Sequence, residues 1–382
     1  MPSNLEEIVP SFHLKREISE LYLASSIRGF AQGMLNLFIP VFLYKLGFTV
    51  QEIVLFYVAA FFVRFVTVPW GGNLAKKYGF EHSIMYSVPI TILFYLALYL
   101  VKFHHFLIFI VPILFALSRN AYWIAYHADF AYYGKDGQRG REIGSLLGFR
   151  FALSVIAPFL GGLILKLSGF NVLFLVVSIL LFISVIPLFT TKEKFKPKPV
   201  SYFQTFKKFF SRKKRRRFFG YLGFGENIVT VAIWPIFIYL IVSSYFYLGT
   251  IISISTLFMA LIIMYLGKLA DKMDRKKIIK IGTLLLSSSW ILKIFAKTPL
   301  YVLGVDTFSR ASSNLQSIPV YARIYKRASR EGTVNDIMFY ELGMTLGYIL
   351  LGLIIYVLLF FTSNIALSFI PAALIALLYM LL

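Results

Sequence analysis

A charged stretch, "GKLADKMDRKK" at residues 267–277, interrupts an otherwise apolar chain. A second stretch, "GNLAKKYGFEH" at residues 72–82, repeats its pattern of glycine, small apolar and basic residues. The two stretches begin about half of the 382-residue chain apart, and the later one has Asp271 where the earlier one has Lys76. The repeat predicts two related halves. The charge reversal predicts that the two copies make different contacts.

Two further pairs of segments support an internal duplication. "FIPVFLYKL" at residues 38–46 aligns with "IWPIFIYLI" at residues 233–241, and "LSRN" at residues 117–120 aligns with "FSRA" at residues 308–311. The spacing between equivalent residues changes only slightly from pair to pair, as small insertions in loops would produce. This pattern predicts one unit that is repeated in the same orientation.

The composition indicates a membrane protein. Hydrophobic residues make up 59% of the chain and aromatic residues 18%, and the mean hydropathy is +0.76. A membrane-spanning helix needs about 20 mainly apolar residues. The stretches that meet this length, spans 1 to 12, lie approximately at residues 19–44, 50–70, 84–102, 105–128, 143–165, 170–190, 218–241, 245–266, 278–296, 299–322, 336–360 and 363–382. They lack the alternation of barrel strands, so we predict an all-α polytopic membrane protein with twelve transmembrane helices in two pseudo-symmetric six-helix halves.

The distribution of basic residues predicts the orientation of the spans. The segments on one side contain 29 of the 39 Lys and Arg residues, whereas the opposite loops contain only Lys45, Lys102, Lys166, Lys293 and Lys297. An excess of Lys and Arg marks the cytoplasmic side. We therefore expect both termini in the cytoplasm and a location in the plasma membrane. The expected divisions are a cytoplasmic N-terminal segment, a first half, a basic linker and a second half, at residues 1–18, 19–190, 191–217 and 218–382.

The linker between the halves is strongly basic and includes "KKRRR" at residues 213–217. Such a run also occurs in proteins that bind nucleic acid, but here predicted spans flank it on both sides. We therefore predict contact with anionic lipid headgroups and no nucleic-acid partner.

The stretch at residues 267–277 resembles a signature of the major facilitator superfamily, found in the cytoplasmic loop after span 2 and, more weakly, after span 8. The matching residues are Gly267, Leu269, Ala270, Asp271, Lys272, Arg275 and Lys276, whereas Asp274 replaces the second glycine. The first-half copy keeps Gly72, Leu74, Ala75, Lys77 and Gly79. The resemblance implies a secondary transporter that alternates access to a site between its halves, and we expect a monomer.

Span 5 resembles a second motif of this family, which is associated with antiporters. The matching residues are Gly144, Pro158, Gly161 and Gly162, whereas Leu153 and Ala157 replace two glycines. A proline bends a helix, and glycines allow close contact between helices. The resemblance therefore implies a bent, closely packed span 5 and exchange of a solute for protons.

Ionisable residues inside the predicted spans are candidates for function, because burying them in a membrane is costly. The cations are all arginines, namely Arg28, Arg64, Arg119, Arg150 and Arg310, and the acids are Glu226, Asp306 and Glu341. An arginine binds carboxylate or phosphate groups in bidentate fashion. The excess of arginine predicts a substrate with an anionic group. A structural role is the alternative for Arg119 and Arg310, which occupy equivalent places in the two halves.

Three acidic residues are candidates for proton coupling. Glu226 has no basic residue within reach on its own helix, so it is either a proton carrier or part of a salt bridge between helices. Glu341 has the same alternatives, closer to the cytoplasmic edge. Asp306 lies four residues before Arg310 and is predicted to pair with it. We interpret His127 as a histidine at the membrane interface.

The charge reversal in the first-half signature predicts a changed latch between the halves. In the family, the acid of this signature meets the positive N-terminus of span 11. Lys76 replaces that acid, and a cation is disfavoured at a helix N-terminus, so we expect it to meet Glu331 or Asp336. A second pair is expected between the later signature and the start of span 5, from Asp271 to Arg139 and Arg141.

The sequence contains no catalytic, nucleotide or metal motif. It has no cysteine, no Walker loop, no dinucleotide-binding glycine pattern, and neither the H-E-x-x-H nor the G-x-S-x-G motif. We therefore predict neither an enzyme nor a cofactor. An ion or solute gradient is expected to drive transport.

These observations predict proton-coupled export of a small amphipathic or anionic solute. One alternative is an uptake symporter or facilitator for a sugar or an organic acid. Another is a lipid or lysolipid flippase, and a third is a membrane scaffold or receptor without transport.

Overall fold

A computed structural model describes residues 16–133, 140–190, 202–209, 211, 214–270, 274–331 and 333–382, which are almost entirely helical and include no strand. The helices of the first half are Arg16–Leu35 and Ile39–Lys45 (span 1), Val50–Tyr78 (span 2), Phe80–Leu100 (span 3), Val111–Tyr133 (span 4) and Gly140–Ile183 (spans 5 and 6). Those of the second half are Arg215–Leu222 and Trp234–Val242 (span 7), Tyr245–Ala270 (span 8), Arg275–Lys293 (span 9), Pro299–Glu331 (span 10), Thr333–Phe361 (span 11) and Phe369–Ala376 (span 12). The linker contains the helix Tyr202–Phe209.

These helices confirm the predicted all-α architecture of twelve spans. By length and composition alone, eight described segments are apolar enough to cross a membrane. One of them, Arg150–Leu188, covers both span 5 and span 6, between which Gly169 breaks the helix with φ of 77°. Spans 9 and 10 are less apolar because they carry charged residues, and span 12 lies in a shorter apolar segment, Ile365–Leu381.

The glycines of the first-half signature have distinct structural roles. Gly79 separates span 2 from span 3 with φ of 96°, a conformation that other residues rarely adopt. Gly72 lies within the helix of span 2, where an added Cβ would overlap the sulfur of Met338 in span 11. Spans 2 and 11 can therefore approach each other closely across the two halves.

Spans 1 and 7 are interrupted at equivalent points. In span 1 a 3₁₀ turn, Asn36–Phe38, precedes Pro40, and in span 7 a π-helical turn, Val229–Ile233, precedes Pro235. Proline lacks a backbone donor, so it is tolerated in the first turn of a helix and interrupts the hydrogen-bond ladder elsewhere. The repeat therefore places a helix break in the same span of each half, although the two turns differ in winding.

The halves meet along two equivalent pairs of spans. Span 2 packs against span 11, and span 5 packs against span 8. Spans 2 and 8 are equivalent in the repeat, as are spans 5 and 11, so pseudo-symmetry relates these two interfaces. Span 4 also contacts spans 10 and 11, and span 1 contacts span 7. A cavity lies between the halves, among these spans.

Candidate substrate and coupling site

The cavity between the halves has a volume of about 530 Å³ and is lined by residues of both. This volume is typical of a site for a small molecule. Aromatic side chains form a large part of the wall. Among the described residues, the lysine, arginine and acidic side chains of the lining are Arg64, Arg119, Arg150, Arg310 and Glu341. The wall therefore carries an excess of positive charge.

Two of these cations face the cavity without an acidic partner. Cζ of Arg119 lies 5.1 Å from the centre of the Phe115 ring, and Nη1 of Arg150 donates to the Tyr126 hydroxyl at 2.6 Å. Among the described residues, no carboxylate oxygen lies within 4.0 Å of either guanidinium. Both charges are therefore available to an anion in the cavity.

Arg28 lies one side-chain layer behind the cavity wall. It is 2% exposed, and its two terminal nitrogens donate to Ser87 Oγ at 2.8 Å and to Thr91 Oγ1 at 3.0 Å. Its Cζ lies 4.0 Å from the ring centre of Tyr122, which lines the cavity. Arg28 therefore adds positive potential to the wall, while its terminal nitrogens already have partners.

Asp306 and Arg310 form an ion pair, as their spacing predicts. Nε of Arg310 donates to Oδ2 of Asp306 at 2.6 Å. Nε1 of Trp234 donates to the other carboxylate oxygen, Oδ1, at 2.8 Å. The Asp306 side chain is buried, whereas that of Arg310 is 30% exposed and lines the cavity. The pair therefore connects the cavity wall to the interior of the second half.

Glu226 belongs to a buried cluster that contains a lysine. Its Oε2 accepts a hydrogen bond from Trp290 Nε1 at 3.1 Å. Nζ of Lys293 lies 3.7 Å from the ring centre of Trp290 and 4.5 Å from that of Trp234. Two predictions are therefore wrong. Lys293 does not lie in an outer loop, and the cations within the spans are not all arginines. Two indole rings shield the ammonium group, which lowers the cost of its burial.

A second buried group joins the two halves. Arg64 in span 2 donates to Glu341 in span 11, and both side chains are shielded from solvent. His127 lies beside this pair, with Nδ1 2.8 Å from the Tyr325 hydroxyl and Nε2 3.8 Å from Glu341 Oε1. The side chain of His127 is 6% exposed and contacts the second half, so it faces the protein interior. Its position at the membrane interface stays a prediction. The sequence did not indicate these partners, since each comes from the opposite half.

Comparisons with known proteins agree with this architecture. The sequence profile of the Major Facilitator Superfamily matches residues 21–245, which is more than half of the chain. The chain belongs to the Major Facilitator Superfamily. It is therefore an integral membrane protein that carries out secondary transport, and it is not an enzyme.

Solved structures of FucP have the same fold. The E. coli fucose:proton symporter FucP, in a variant form, has 15% sequence identity and a TM-score of 0.64, over 96% of this chain and 98% of that one. FucP in the outward conformation has 13% identity and a TM-score of 0.67, over 96% of this chain and 97% of that one. No curated protein sequence matches the chain.

The first signature loop of this Major Facilitator Superfamily protein reaches span 11. Nζ of Lys76 donates to Oδ1 of Asn335 at 3.2 Å, at the start of that span. Oδ1 of Asp336 lies 3.5 Å from Lys214 Nζ and 3.8 Å from Arg217 Nη1. The basic linker therefore supplies cations to the acid that was expected to meet Lys76. Asp271, Arg139 and the side chains of Arg141 and Glu331 lie outside the described residues, so the latch stays a prediction.

The superfamily's span 5 motif lies against spans 1 and 8. An added Cβ at Gly161 would overlap a backbone carbonyl of span 1, and one at Gly162 would lie 2.6 Å from a backbone carbonyl oxygen of span 8. Pro158 lies inside the helix, and its carbonyl would overlap a Cβ at Gly249 of span 8. Small residues therefore allow these backbones to touch. Gly144 lies in the same helix, and its surroundings are outside the described part of the chain.

Proposed function

We propose that this protein transports a small amphipathic organic anion in a proton-coupled cycle, by alternating access to the cavity between its halves. The observation that carries this proposal is the position of Arg119 and Arg150. Their guanidinium groups face the cavity, and no acidic group pairs with them among the described residues. A guanidinium keeps its charge, and a charge at membrane depth requires compensation. An anionic substrate supplies that compensation.

Aromatic side chains near these arginines favour a substrate with an apolar body. The rings of Tyr122 and Tyr126 stack with centres 5.5 Å apart, and Trp123 stacks on His127 with centres 5.2 Å apart. Tyr122 and Trp123 also line the cavity, together with Phe115 beneath Arg119. Aromatic faces bind apolar and ring-bearing groups through burial and stacking. An organic acid with a ring or a short aliphatic chain fits both features.

Glu226 is the proposed proton carrier. It is buried, and among the described residues no basic nitrogen lies within 4.0 Å of its carboxylate. A buried carboxyl without a close ion pair exchanges a proton at less cost than one held in such a pair. The fold is also that of FucP, which is described as a fucose:proton symporter. Replacement of Glu226 by Gln is expected to abolish pH-driven transport in proteoliposomes, and unchanged coupling would contradict this assignment.

Two modes of coupling are supported by different features. Export in exchange for protons is supported by the span 5 motif, in which Pro158, Gly161 and Gly162 form the close contacts that such a motif requires. Uptake together with protons is supported by electrostatics, since a proton bound near the cavity increases its positive charge and favours a bound anion. The direction in which a pH gradient drives transport distinguishes the two modes.

The basic linker supports a cytoplasmic position for both termini. We infer this orientation, in a plasma membrane, from the skewed distribution of Lys and Arg between the two sides. The linker, residues 191–217, connects the halves at 19–190 and 218–382. Its helix Tyr202–Phe209 buries Phe209 and exposes Lys207. This arrangement supports contact between the basic side chains of the linker and anionic lipid headgroups.

Transport of defined solutes tests the proposed function. The purified protein would be reconstituted into proteoliposomes. Transport would be assayed with two labelled anions, benzoate and acetate, and with two neutral compounds, benzyl alcohol and fucose. We expect saturable transport of benzoate and none of the neutral compounds. Arg119→Gln and Arg150→Gln should each reduce this transport, whereas Lys166→Gln, which removes an exposed cation outside the cavity lining, should not. Transport of neutral solutes alone would overturn the proposal.

A further inference from the structure

We propose that Lys293 is a movable counter-ion shared by Glu226 and Asp306, and that its position links protonation of Glu226 to anion binding by Arg310. This inference rests on the proposed function, because it explains how a proton and an anionic substrate become coupled. It adds a coupling residue to the second half, whereas Arg119 and Arg150 lie in the first half.

The geometry around Lys293 is nearly symmetric. Its ammonium nitrogen lies 3.7 Å from the ring centre of Trp290 and 4.5 Å from that of Trp234. Each indole donates to one carboxylate, Trp290 to Glu226 at 3.1 Å and Trp234 to Asp306 at 2.8 Å. Two indole–carboxylate pairs therefore flank one ammonium group.

Lys293 forms no close ion pair with either carboxylate. It is 2% exposed and interacts electrostatically with both, but neither carboxylate lies within 4.0 Å of its nitrogen among the described ion pairs. A buried cation needs a nearby negative charge to offset its desolvation. The indole faces hold the ammonium beside both indole–carboxylate pairs, so a change of rotamer of the flexible lysine side chain is the movement that would favour one carboxylate over the other.

The two carboxylates have different titratable neighbours apart from Lys293. The titratable groups that face Glu226 are Lys293, Tyr321, Tyr348 and Tyr379, and those that face Asp306 are Lys293 and Arg310. Arg310 also lines the cavity, and its side chain is 30% exposed. Lys293 is therefore the group that the two carboxylates share, and Arg310 is the member of the network that can reach a substrate.

The charges of this network explain how the two sites communicate. With both acids ionised, Glu226, Asp306, Lys293 and Arg310 sum to zero charge. When a proton from solvent binds the Glu226 carboxylate, that group becomes neutral and Lys293 loses one of its two partners. Lys293 is then expected to move towards Asp306. The single negative charge of Asp306 would then face two cations, Lys293 and Arg310. The attraction between Asp306 and Arg310 weakens as a result, and Arg310 becomes available to an anion in the cavity.

The sign of this coupling is positive. A proton on Glu226 strengthens binding of the anion, and by thermodynamic linkage a bound anion strengthens binding of the proton. Proton and anion therefore bind together. This relationship favours co-transport of the two over exchange.

Two measurements test the proposal with one set of variants. The first is the affinity for benzoate, measured by titration calorimetry at about pH 8 and about pH 6. We expect affinity to increase about tenfold on acidification, within the usual range of coupling between two sites. In Lys293→Met this dependence should be lost, and in Glu226→Gln the affinity should be high at both pH values. Lys297→Met, which removes an exposed lysine four residues away, should behave as wild type.

The second measurement needs no substrate. The chain has four tryptophans, so protein labelled with 5-fluorotryptophan gives four fluorine resonances, which single Trp→Phe variants assign. We expect the signals of Trp234 and Trp290 to shift together with pH, while that of Trp70 stays fixed. Both shifts should disappear in Glu226→Gln. In Lys293→Met only the Trp234 shift should disappear, because Trp290 donates directly to Glu226.

The outcomes separate this inference from the proposed function. If the Trp234 signal shifts with pH in Lys293→Met as it does in wild type, or does not shift in wild type, the role of Lys293 is overturned. If benzoate binds with an affinity that does not depend on pH, the coupling is overturned but anion binding stands. If no anion binds at any pH, the proposed substrate class fails, and the fluorine spectra still decide the behaviour of Lys293.

Discussion

Arg64 and Glu341 form a buried ion pair that ties span 2 of the first half to span 11 of the second. His127 of span 4 lies 3.8 Å from the other oxygen of Glu341, so three spans meet at this group. The Lys76–Asn335 hydrogen bond joins the same two spans further along span 2. Because these contacts join the halves, they must change when the halves move relative to each other during transport.

The first prediction concerns the stability of this ion pair. Glu341→Gln leaves the buried Arg64 without a negative partner, and breaking a buried pair in this way typically costs about 3–5 kcal/mol. We expect a markedly lower melting temperature in detergent, measured by tryptophan fluorescence. Replacing both residues, with Arg64→Met and Glu341→Gln, should recover part of the loss. The exposed Asp274→Asn serves as the control, and a melting temperature for Glu341→Gln equal to that of the control would refute the prediction.

The second prediction concerns the two arginines that face the cavity. Hydrogen bonds to charged groups contribute about 1.5–3 kcal/mol, so Arg119→Gln and Arg150→Gln should each weaken benzoate binding by roughly tenfold to a hundredfold. Arg119→Lys keeps the charge but loses the bidentate geometry, so its affinity should be intermediate. Calorimetry at a single pH measures all of these variants. Wild-type affinity in both glutamine variants would exclude these residues from the anion site.

The third prediction concerns the contact between spans 5 and 8. A Cβ at Gly162 would lie 2.6 Å from the carbonyl oxygen of Tyr245 and 3.2 Å from Cα of Phe246, so the backbones would have to separate. Gly162→Ala should therefore lower both the melting temperature and the rate of transport. Gly304→Ala is the matched control, because a Cβ there meets no atom within 4 Å. In an open helical position, alanine is favoured over glycine by up to about 1 kcal/mol. Equal behaviour of the two variants would argue against a tight interface.

The fourth prediction concerns the linker helix. The Phe209 ring lies 6.0 Å from that of Phe65 in the first half, and 5.1 Å and 5.5 Å from those of Phe218 and Phe339 in the second. Phe209→Ala removes the ring that connects these spans, so the linker should detach more readily and be cleaved faster by a protease. Phe219→Ala, at a neighbouring ring that is 47% exposed, should leave the cleavage rate unchanged. If Phe209→Ala is cleaved no faster, the linker helix does not hold the halves together.

The sequence predicted the architecture because each span carries its own signal. A helix that crosses a membrane satisfies its backbone hydrogen bonds within one segment, so apolar length alone identifies it. The internal repeat added the division into halves. The Asp306–Arg310 pair was also predictable, since its spacing of four residues is local to one helix.

Contacts between spans were not predictable from the sequence, because they depend on how each helix is rotated. Arg64 was recognised as a membrane cation, but its partner Glu341 comes from the other half. Lys293 was assigned to a loop because a lysine near the end of a span usually extends towards the headgroups. Instead, its ammonium group packs against two tryptophans from different spans, in the interior of the second half. His127 was placed at the interface because Asp129 lies beside it at the inner end of span 4. Its contact with Tyr325 was not predictable, because Tyr325 lies on a distant part of the chain.

Pro40 and Pro235 stand at equivalent positions of the repeat, yet the turn before Pro40 is wound more tightly than an α-helix and the turn before Pro235 more loosely. We therefore expect the side chains that follow to be rotated in opposite senses about their helix axes, so that residues aligned by the duplication point in different directions. A difference in local helix winding is thus a way to give one cavity two different walls even where the aligned side chains are alike. Exchanging aligned residues between spans 1 and 7 would accordingly place them in unlike surroundings.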